Sequence, residues 1–140
     1  MHPSPTLFSA VGWRSPISGV VRISADITDA HPECGNGVEW FLQHRTLKSV
    51  GTIWKGEIST RGSKKMKPRL LTVRKGELIS FYIGPRHRTH ACDLTRINLE
   101  VRETKGKKRV WNLANDVRKT LHMANPHPDR YGNRRTWHFF

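Results

Sequence analysis

The amino-acid sequence predicts an all-β fold: a single two-sheet antiparallel sandwich, jelly-roll-like, with about 8–9 short strands and at most one short helix. Its apolar and polar residues alternate in short runs, which is the period of a strand that buries one face. Turns that contain Gly or Pro separate these runs, and the helices that a parallel α/β fold needs between its strands are missing from the pattern. The length of 140 residues suits one domain, so we expect residues 1–140 to form a single module.

Three segments, 19–28, 38–43 and 97–102, show the clearest alternation. In each of them the apolar residues fall at every second position and therefore share one face of the strand. The predicted buried faces consist of Val21, Ile23, Ala25 and Ile27, of Val38, Trp40 and Leu42, and of Ile97, Leu99 and Val101. We expect these three strands to form the firmest part of the core.

Weaker patterns predict the other strands. The β-rich runs 70–74 and 78–83 flank a short connection that contains Gly76, which predicts a hairpin. Less regular strand patterns occupy the segments 8–13, 50–58 and 137–140.

Two segments depart from the strand pattern. Within 111–121, Leu113, Val117 and Leu121 recur at four-residue spacing, which predicts a helical turn or two. The stretch 61–69 is basic and contains a Gly and a Pro, so it is predicted to be an exposed loop.

The chain is strongly basic, with 25 Lys and Arg against 11 Asp and Glu and a formal net charge of +14. Such a surface attracts phosphates, acidic polysaccharides and anionic lipid head groups over about a Debye length. One functional hypothesis is therefore a basic module that binds nucleic acid or another polyanion. It would use two basic runs, Lys64, Lys65, Lys67 and Arg69 and the segment 105–109. No DNA- or RNA-reading motif supports this hypothesis beyond charge.

The apolar runs, the N-terminal segment and the cysteines bear on several other classes of protein. No apolar run approaches the ~20 residues that a membrane span needs, so we expect no membrane span. The segment 1–5 lacks the basic start and apolar centre of a signal peptide. Cys34 and Cys92 lie outside Cys-x-x-Cys and Cys-x-x-Cys-His motifs, which excludes covalent haem attachment and a four-cysteine zinc site.

Four groups of motifs occur in order over nearly the whole chain. They are Ala10-Val11-Gly12-Trp13-Arg14-Ser15-Pro16 with Ser18-Gly19; Cys34-Gly35-Asn36-Gly37-Val38-Glu39-Trp40; Gly84-Pro85-Arg86 leading through His90 into Cys92-Asp93-Leu94-Thr95; and Trp111-Asn112-Leu113-Ala114 with Asp116-Val117, Asn125-Pro126-His127, Asp129, Gly132-Asn133 and Trp137-His138-Phe139. Together they resemble the β-sandwich module of large secreted, multidomain planctomycete-type cytochrome c proteins.

The resemblance implies an extracytoplasmic setting, periplasmic or secreted, and an accessory role beside neighbouring domains of a parent protein. It also implies a carbohydrate-binding-like function with an extracellular glycan as partner. Haem would belong to the parent protein only, because this chain has no haem motif. A start at Met1 without an export signal suggests a piece of a longer protein or a separated reading frame.

Cys34 and Cys92 are a candidate disulfide. An exported domain meets an oxidising environment, and a bridge that closes so long a loop would stabilise the fold by ~4–5 kcal/mol. Both a disulfide and two free thiols stay open, since the sequence does not give the distance between the two residues.

A loop rich in oxygen donors follows the first strong strand. Asp29, Glu33 and Asn36 offer carboxylate and amide oxygens there, which is the donor set that calcium prefers. The alternative is a turn in which Asp29 and Asn36 bond their own backbone.

The other candidate ligand-binding residues are scattered. Trp54 stands beside Lys55 and near the basic stretch, so it could stack on a sugar ring or a nucleobase. His90 and Asp93 point to opposite faces of an extended strand, so a polar loop is predicted there, with a metal or nucleophilic site as the alternative. We expect 125–140 to be a C-terminal clasp that returns to a sheet. A ligand role for its His127 and Asp129 stays open.

No pattern predicts catalysis. The sequence has no Gly-x-Ser-x-Gly elbow, and its few acidic residues lie mostly at outward strand positions or in turns. We therefore predict a non-catalytic accessory or carbohydrate-binding-like module, with the nucleic-acid- or polyanion-binding module as the alternative. No cofactor in this chain other than calcium is expected.

Overall fold

The fold is described by a computed structural model for residues 1–88 and 91–140. These residues form ten strands, one short α-helix and one 3₁₀ turn. In chain order they are β1 (Ser9–Arg14), β2 (Gly19–Asp29), β3 (Val38–Arg45), β4 (Val50–Ile58), β5 (Ser63–Lys65), β6 (Arg69–Val73), β7 (Leu78–Pro85), the 3₁₀ turn Arg86–Arg88, β8 (Thr95–Glu103), β9 (Val110–Asn112), α1 (Leu113–Val117) and β10 (Trp137–Phe139).

The strands of the described residues pair into two antiparallel sheets of five strands each. The first sheet has the order β10-β1-β7-β3-β4. The second has the order β5-β2-β8-β9, and β6 also pairs with β2. The prediction of a two-sheet all-β sandwich with one short helix is therefore confirmed. The described part of the chain contains no helix of the length and apolar character that crossing a membrane requires.

The core lies between the two sheets and is built by the alternating strands. The predicted inner faces of β2 and β3 are buried, as are Leu99 and Val101 of β8, whereas Ile97 is only half-buried. Trp13 on β1 and Trp111 on β9 are fully buried, and their ring centroids lie 5.2 Å apart. Because these two strands belong to different sheets, the tryptophan pair holds the sheets together.

The predicted hairpin between 70–74 and 78–83 is wrong. β6 pairs with β2 in the second sheet, whereas β7 pairs with β1 and β3 in the first. The connection crosses from one sheet to the other beside Ser15, whose N–H donates to the Glu77 carbonyl and whose carbonyl accepts from Gly76 N–H. A short Gly-containing connection suits either path, and the apolar pattern of a strand does not select its partner.

The basic stretch 61–69 is not wholly an exposed loop, and that prediction is wrong for its centre. Ser63–Lys65 forms β5 and pairs with β2, and Met66 is 4% exposed with its N–H bonded to the Ala25 carbonyl. Lys64 and Lys65 remain exposed on this edge strand. An edge strand forms backbone hydrogen bonds on one side while its charged side chains face water. A basic composition is therefore compatible with a strand as well as with a loop.

The predicted helical turn is present as α1 and does not extend to Leu121. It begins after Asn112, whose side chain accepts a hydrogen bond from Asn115 N–H at 3.2 Å, and it ends at Val117. Leu121 lies beyond it and is 69% exposed. Trp111 precedes it in β9.

The C-terminal segment closes the first sheet. β10 pairs with β1, and the Asn125–Pro126 peptide bond before it is cis. The side chain of Asn125 bonds both the carbonyl and the N–H of Phe139, at 2.7 and 2.9 Å. Trp137 is fully buried as a result.

The loops gather at the two ends of the sandwich. One end, the disulfide end, carries the loops 30–37, 59–62 and 86–94 as far as they are described, with Asp29 N–H bonded to the Gly62 carbonyl and Ala30 N–H to that of Leu94. The other, the basic end, carries the turns 46–49, 74–77 and 104–109. The strand registers place these turns together, since Leu78 pairs with Arg45 and β2 pairs with the ends of β6 and β8.

Candidate functional site

A groove of about 740 Å³ opens at the basic end of the sandwich, between the turn 46–49 and the connection 74–77. Its walls carry positive charge from three separate parts of the chain. The cationic residues that line it, called here the basic groove, are Arg14, Arg45, Lys48, Arg74 and Lys75.

Strand pairing in the first sheet sets two of these cations in one row. Leu78 on β7 pairs with Arg14 on β1 and with Arg45 on β3. Directly opposed residues point to the same face of a sheet, and neighbouring strands lie ~4.8 Å apart. The two arginines therefore leave the backbone ~10 Å apart, with an apolar side chain between them.

Side-chain hydrogen bonds fix the turn that carries Lys48. The hydroxyl of Thr46 accepts from the N–H groups of Lys48 and Ser49 at 3.1 and 3.0 Å, and Thr46 N–H donates to the Ser49 carbonyl. Leu47 projects fully into solvent at the tip. The turn is thus held without using any charged side chain of the groove.

Side-chain hydrogen bonds also hold the opposite wall of the groove, which is the connection 74–77. Arg74 N–H donates to the carboxylate of Glu77 at 3.0 Å, and Lys75 N–H donates to the hydroxyl of Ser18 at 3.0 Å. Glu77 Oε2 also lies 2.8 Å from His44 Nε2. The side chains of Arg74 and Lys75 remain exposed.

The basic groove keeps its charge. Within the described residues, the ion pairs involve other cations, and none includes one of the five groove side chains. Glu77, the carboxylate of the lining, binds a backbone N–H and a histidine instead. Like charges that folding brings together raise the local positive potential, which a bound anion would relieve.

The predicted calcium ligands Asp29 and Asn36 form hydrogen bonds with backbone groups. The two carboxylate oxygens of Asp29 accept from His31 N–H at 2.9 Å and from Arg61 N–H at 2.7 Å. Asn36 donates from its amide to the Arg86 carbonyl at 2.8 Å, and Glu33 is exposed. Calcium binding by this loop stays a prediction. Of the turn that was its alternative, Asp29 makes the local backbone bond, to His31 N–H, whereas Asn36 bonds the backbone of a distant segment.

Cys34 and Cys92 form a disulfide, with their Cα atoms 5.5 Å apart. The bridge joins the loop after β2 to the segment that enters β8. His31 Nδ1 lies 3.9 Å from the Cys34 sulfur. Because the sulfurs of Cys34 and Cys92 are bonded to each other, neither cysteine offers a thiolate to a metal ion beside His31.

Trp54 and Asp93, two of the remaining predicted ligand residues, lie in different parts of the fold. Trp54, on the edge strand β4, is half-buried and pairs with Leu42, so it faces the core rather than solvent. Asp93 is 3% exposed beside the disulfide. His90 lies outside the described residues.

His127 and Asp129 serve the C-terminal segment. His127 is 6% exposed, with its Nδ1 2.7 Å from the Thr120 carbonyl, and its backbone pairs with that of Trp137. The carboxylate of Asp129 accepts from Trp111 Nε1 at 2.6 Å, and it binds three further residues: Tyr131, Asn133 and Thr136. These contacts hold the segment in place and leave the carboxylate little capacity for a ligand.

The groove residues escaped the sequence analysis because they belong to three distant segments. Of the two basic runs that the sequence singles out, the first lies elsewhere, since Lys64 and Lys65 are on the β5 edge, away from the groove lining. A usable signal was present, since a cation stands at or beside the end of several strands. Only the strand order shows that these strand ends meet.

Comparison with family models, with curated proteins and with solved structures finds no match for this chain.

Proposed function

We propose that this chain is a non-catalytic accessory module that binds an anionic glycan in the basic groove, within a secreted, cytochrome-c-associated protein. The observation that carries the proposal is the set of five cationic side chains around one groove, none of them paired with an acid in the described residues. Guanidinium and ammonium groups bind sulfate and carboxylate groups through charge-assisted hydrogen bonds.

The lining favours a glycan over a nucleic acid. Proteins that bind single strands combine positive charge with aromatic rings on which bases stack. None of the described residues that line the basic groove is aromatic. Its apolar contacts come from Leu47, Leu78 and the aliphatic stems of the cations, which suit a sugar chain without requiring base stacking.

The disulfide supports the extracytoplasmic part of the proposal. Disulfides persist in oxidising compartments and are rare where thiols are kept reduced. The polyanions outside the cytoplasm include acidic polysaccharides, so the compartment and the charge of the groove favour the same class of ligand. Neighbouring domains of the parent protein would then be the module's other partners.

The lining also supports a binding rather than a catalytic role. Glycoside hydrolysis usually needs two carboxylic groups that flank the bond to be broken. Among the described residues of the groove lining, Glu77 is the single carboxylate, and it is held by Arg74 N–H and His44. A bound glycan would be retained without being cleaved.

Calorimetric titration with heparin, polygalacturonate, neutral dextran and duplex DNA tests the proposal. The groove variant Arg45→Ser/Lys48→Ser/Lys75→Ser should bind the anionic glycans at least about tenfold more weakly, since the loss of even one charge-assisted bond of ~1.5 kcal/mol lowers the affinity about tenfold. The control variant Lys64→Ser/Lys65→Ser/Lys67→Ser removes the same charge from the β5 region and should keep most of the affinity.

Three outcomes would overturn the proposal. They are an equal loss in the groove and control variants, equal binding of dextran, and tighter binding of duplex DNA than of either glycan. A chelator added to the titration should leave binding unchanged. Loss of binding on chelation would instead transfer the site to Asp29 and its calcium loop.

A further inference from the structure

A second set of cations continues from the basic groove. These flanking cations are Lys105, Lys107, Lys108, Arg134 and Arg135. All five are exposed, and none of them forms an ion pair within residues 1–88 and 91–140.

The three lysines lie on the turn between β8 and β9. Thr104 fixes the start of this turn, because its N–H and its hydroxyl both donate to the Val20 carbonyl, at 3.1 and 2.8 Å. β2 pairs with Val73 of β6 on one side and with Glu103 of β8 on the other. Two strand spacings, ~10 Å, therefore separate the end of β6 from the start of the lysine turn.

The two arginines lie beside Arg14, which belongs to the basic groove. Arg14 N–H donates to the Thr136 carbonyl at 2.7 Å, directly after Arg134 and Arg135 in the chain. The pKa of His138 reflects the same proximity: burial lowers it most, and the positive charges of Arg14 and Arg135 lower it further.

Tyr131 connects the arginine and lysine groups. Its hydroxyl accepts from Val110 N–H at 2.9 Å and donates to the Val110 carbonyl at 3.1 Å. Val110 follows the lysine turn immediately, and Tyr131 precedes the two arginines. The cations therefore follow one another around the basic end, from the groove through Arg14 to the lysine turn.

The acid within this path is already neutralised. Glu103 accepts hydrogen bonds from Arg109 Nε and Nη2 at 3.1 and 3.3 Å and from Arg109 N–H at 3.2 Å. Hydrogen bonding to the Arg109 side chain is the main reason why the pKa of Glu103 is lowered. Glu103 is therefore bonded to Arg109, and none of the described ion pairs includes a lysine of the turn.

We infer that the ligand is an extended anionic polysaccharide chain, longer than the basic groove, that continues over Arg134 and Arg135 to the lysine turn. The inference rests on the proposed function and adds the length and the path of the ligand. A polymer that carries sulfate or carboxylate groups at regular intervals meets both sets of cations at once. Each additional contact then acts within one complex and raises the affinity.

Size-defined heparin oligosaccharides test this inference. A tetrasaccharide serves as the short probe and a dodecasaccharide as the long one, and Kd is measured by calorimetry for three proteins. They are the wild type, the groove variant and a flank variant, Lys105→Ser/Lys107→Ser/Arg134→Ser. Thermal unfolding of each variant shows that it is folded, which is expected because the substituted side chains are exposed.

We expect the wild type to bind the dodecasaccharide at least about tenfold more tightly than the tetrasaccharide. The flank variant should lose about tenfold in affinity for the long probe and little for the short one. The groove variant should weaken both. If the flank variant binds both probes as the wild type does, or weakens both equally, the inference is wrong while the proposed function stands. If the groove variant leaves both affinities unchanged, the proposed function itself fails.

Discussion

Arg14 and Arg45 lie on either side of Leu78, in one row across three strands of the first sheet. Neither guanidinium forms an ion pair with an acid in the described part of the chain. An exposed cation without such a partner contributes little to folding. Its contribution to stability can therefore be measured separately from the proposed binding of an anion.

Arg45→Leu should change the free energy of unfolding by less than about 0.5 kcal/mol, because it removes an exposed charge from among like charges. At low salt the variant should be as stable as the wild type or slightly more so, since the repulsion within the groove falls. Urea denaturation at low and high salt checks this. A loss above about 1.5 kcal/mol would show that Arg45 supports the fold.

The disulfide should contribute strongly to stability. Cys34 and Cys92 are separated by 58 residues in sequence, and closing a loop of that length stabilises by ~4 kcal/mol in the chain-entropy model. Cys34→Ser/Cys92→Ser should lower the free energy of unfolding by about that amount in urea. Reduction of the wild type should reproduce the effect, and a loss below about 1 kcal/mol would contradict this expectation.

Asp129 should matter for folding rather than for ligand binding. Its buried carboxylate accepts from Trp111 Nε1 and from three other residues, so Asp129→Ala leaves several donors without partners. We expect a loss of about 2–4 kcal/mol in urea denaturation. Glu33→Ala removes an exposed carboxylate and serves as the control, with an expected change within about 0.5 kcal/mol. Similar losses in both variants would refute the structural role of Asp129.

Met66 is the buried residue of the basic stretch 61–69, so its substitution tests whether that stretch packs against the fold. It is 4% exposed between β5 and β6, so Met66→Ala should cost about 2–4 kcal/mol through the cavity that it leaves. Lys64→Ala, two positions earlier and exposed, should change the stability little. Equal, small effects in thermal and urea unfolding would mean that the whole stretch behaves as a loop.

The Glu103–Arg109 pair should make stability depend on pH. Because hydrogen bonding to Arg109 lowers the pKa of Glu103, the pair stabilises the fold above the ordinary carboxyl pKa. This contribution is lost as the pH falls through the lowered value. Glu103→Gln should therefore have a lower Tm than the wild type near neutral pH, and the difference should shrink in acid. A difference that stays constant between about pH 3 and pH 7 would contradict the prediction.

The alternation along β2 and β3 was sufficient to predict the architecture. An apolar residue at every second position gives a strand with one buried face, and burial of Val21, Ile23 and Leu42 follows directly. Strand partners did not follow, because the pattern of β6 is compatible with pairing to β7 or to β2. Gly76 permits the turn in either case, and only packing of the complete sandwich decides between them.

The candidate site was less accessible from sequence than the fold. Clustered charge, as in Lys64 and Lys65, is visible in a sequence, whereas Arg14 and Arg45 are single cations at the ends of their strands. They meet because β1, β3 and β6 all end, and β7 begins, at the same end of the sandwich. The order of the strands in the two sheets brings these cations together, so the cluster can be predicted only once that order is known.

The crossing of the chain between the sheets at Gly76 has a mechanical consequence. Arg45 belongs to the first sheet, while Arg74 directly follows the last strand residue of β6 in the second. An anionic chain gripped by both would fasten one sheet to the other at an end where the disulfide offers no tether. If the proposed function holds, pulling on such a chain would load both layers of the sandwich together.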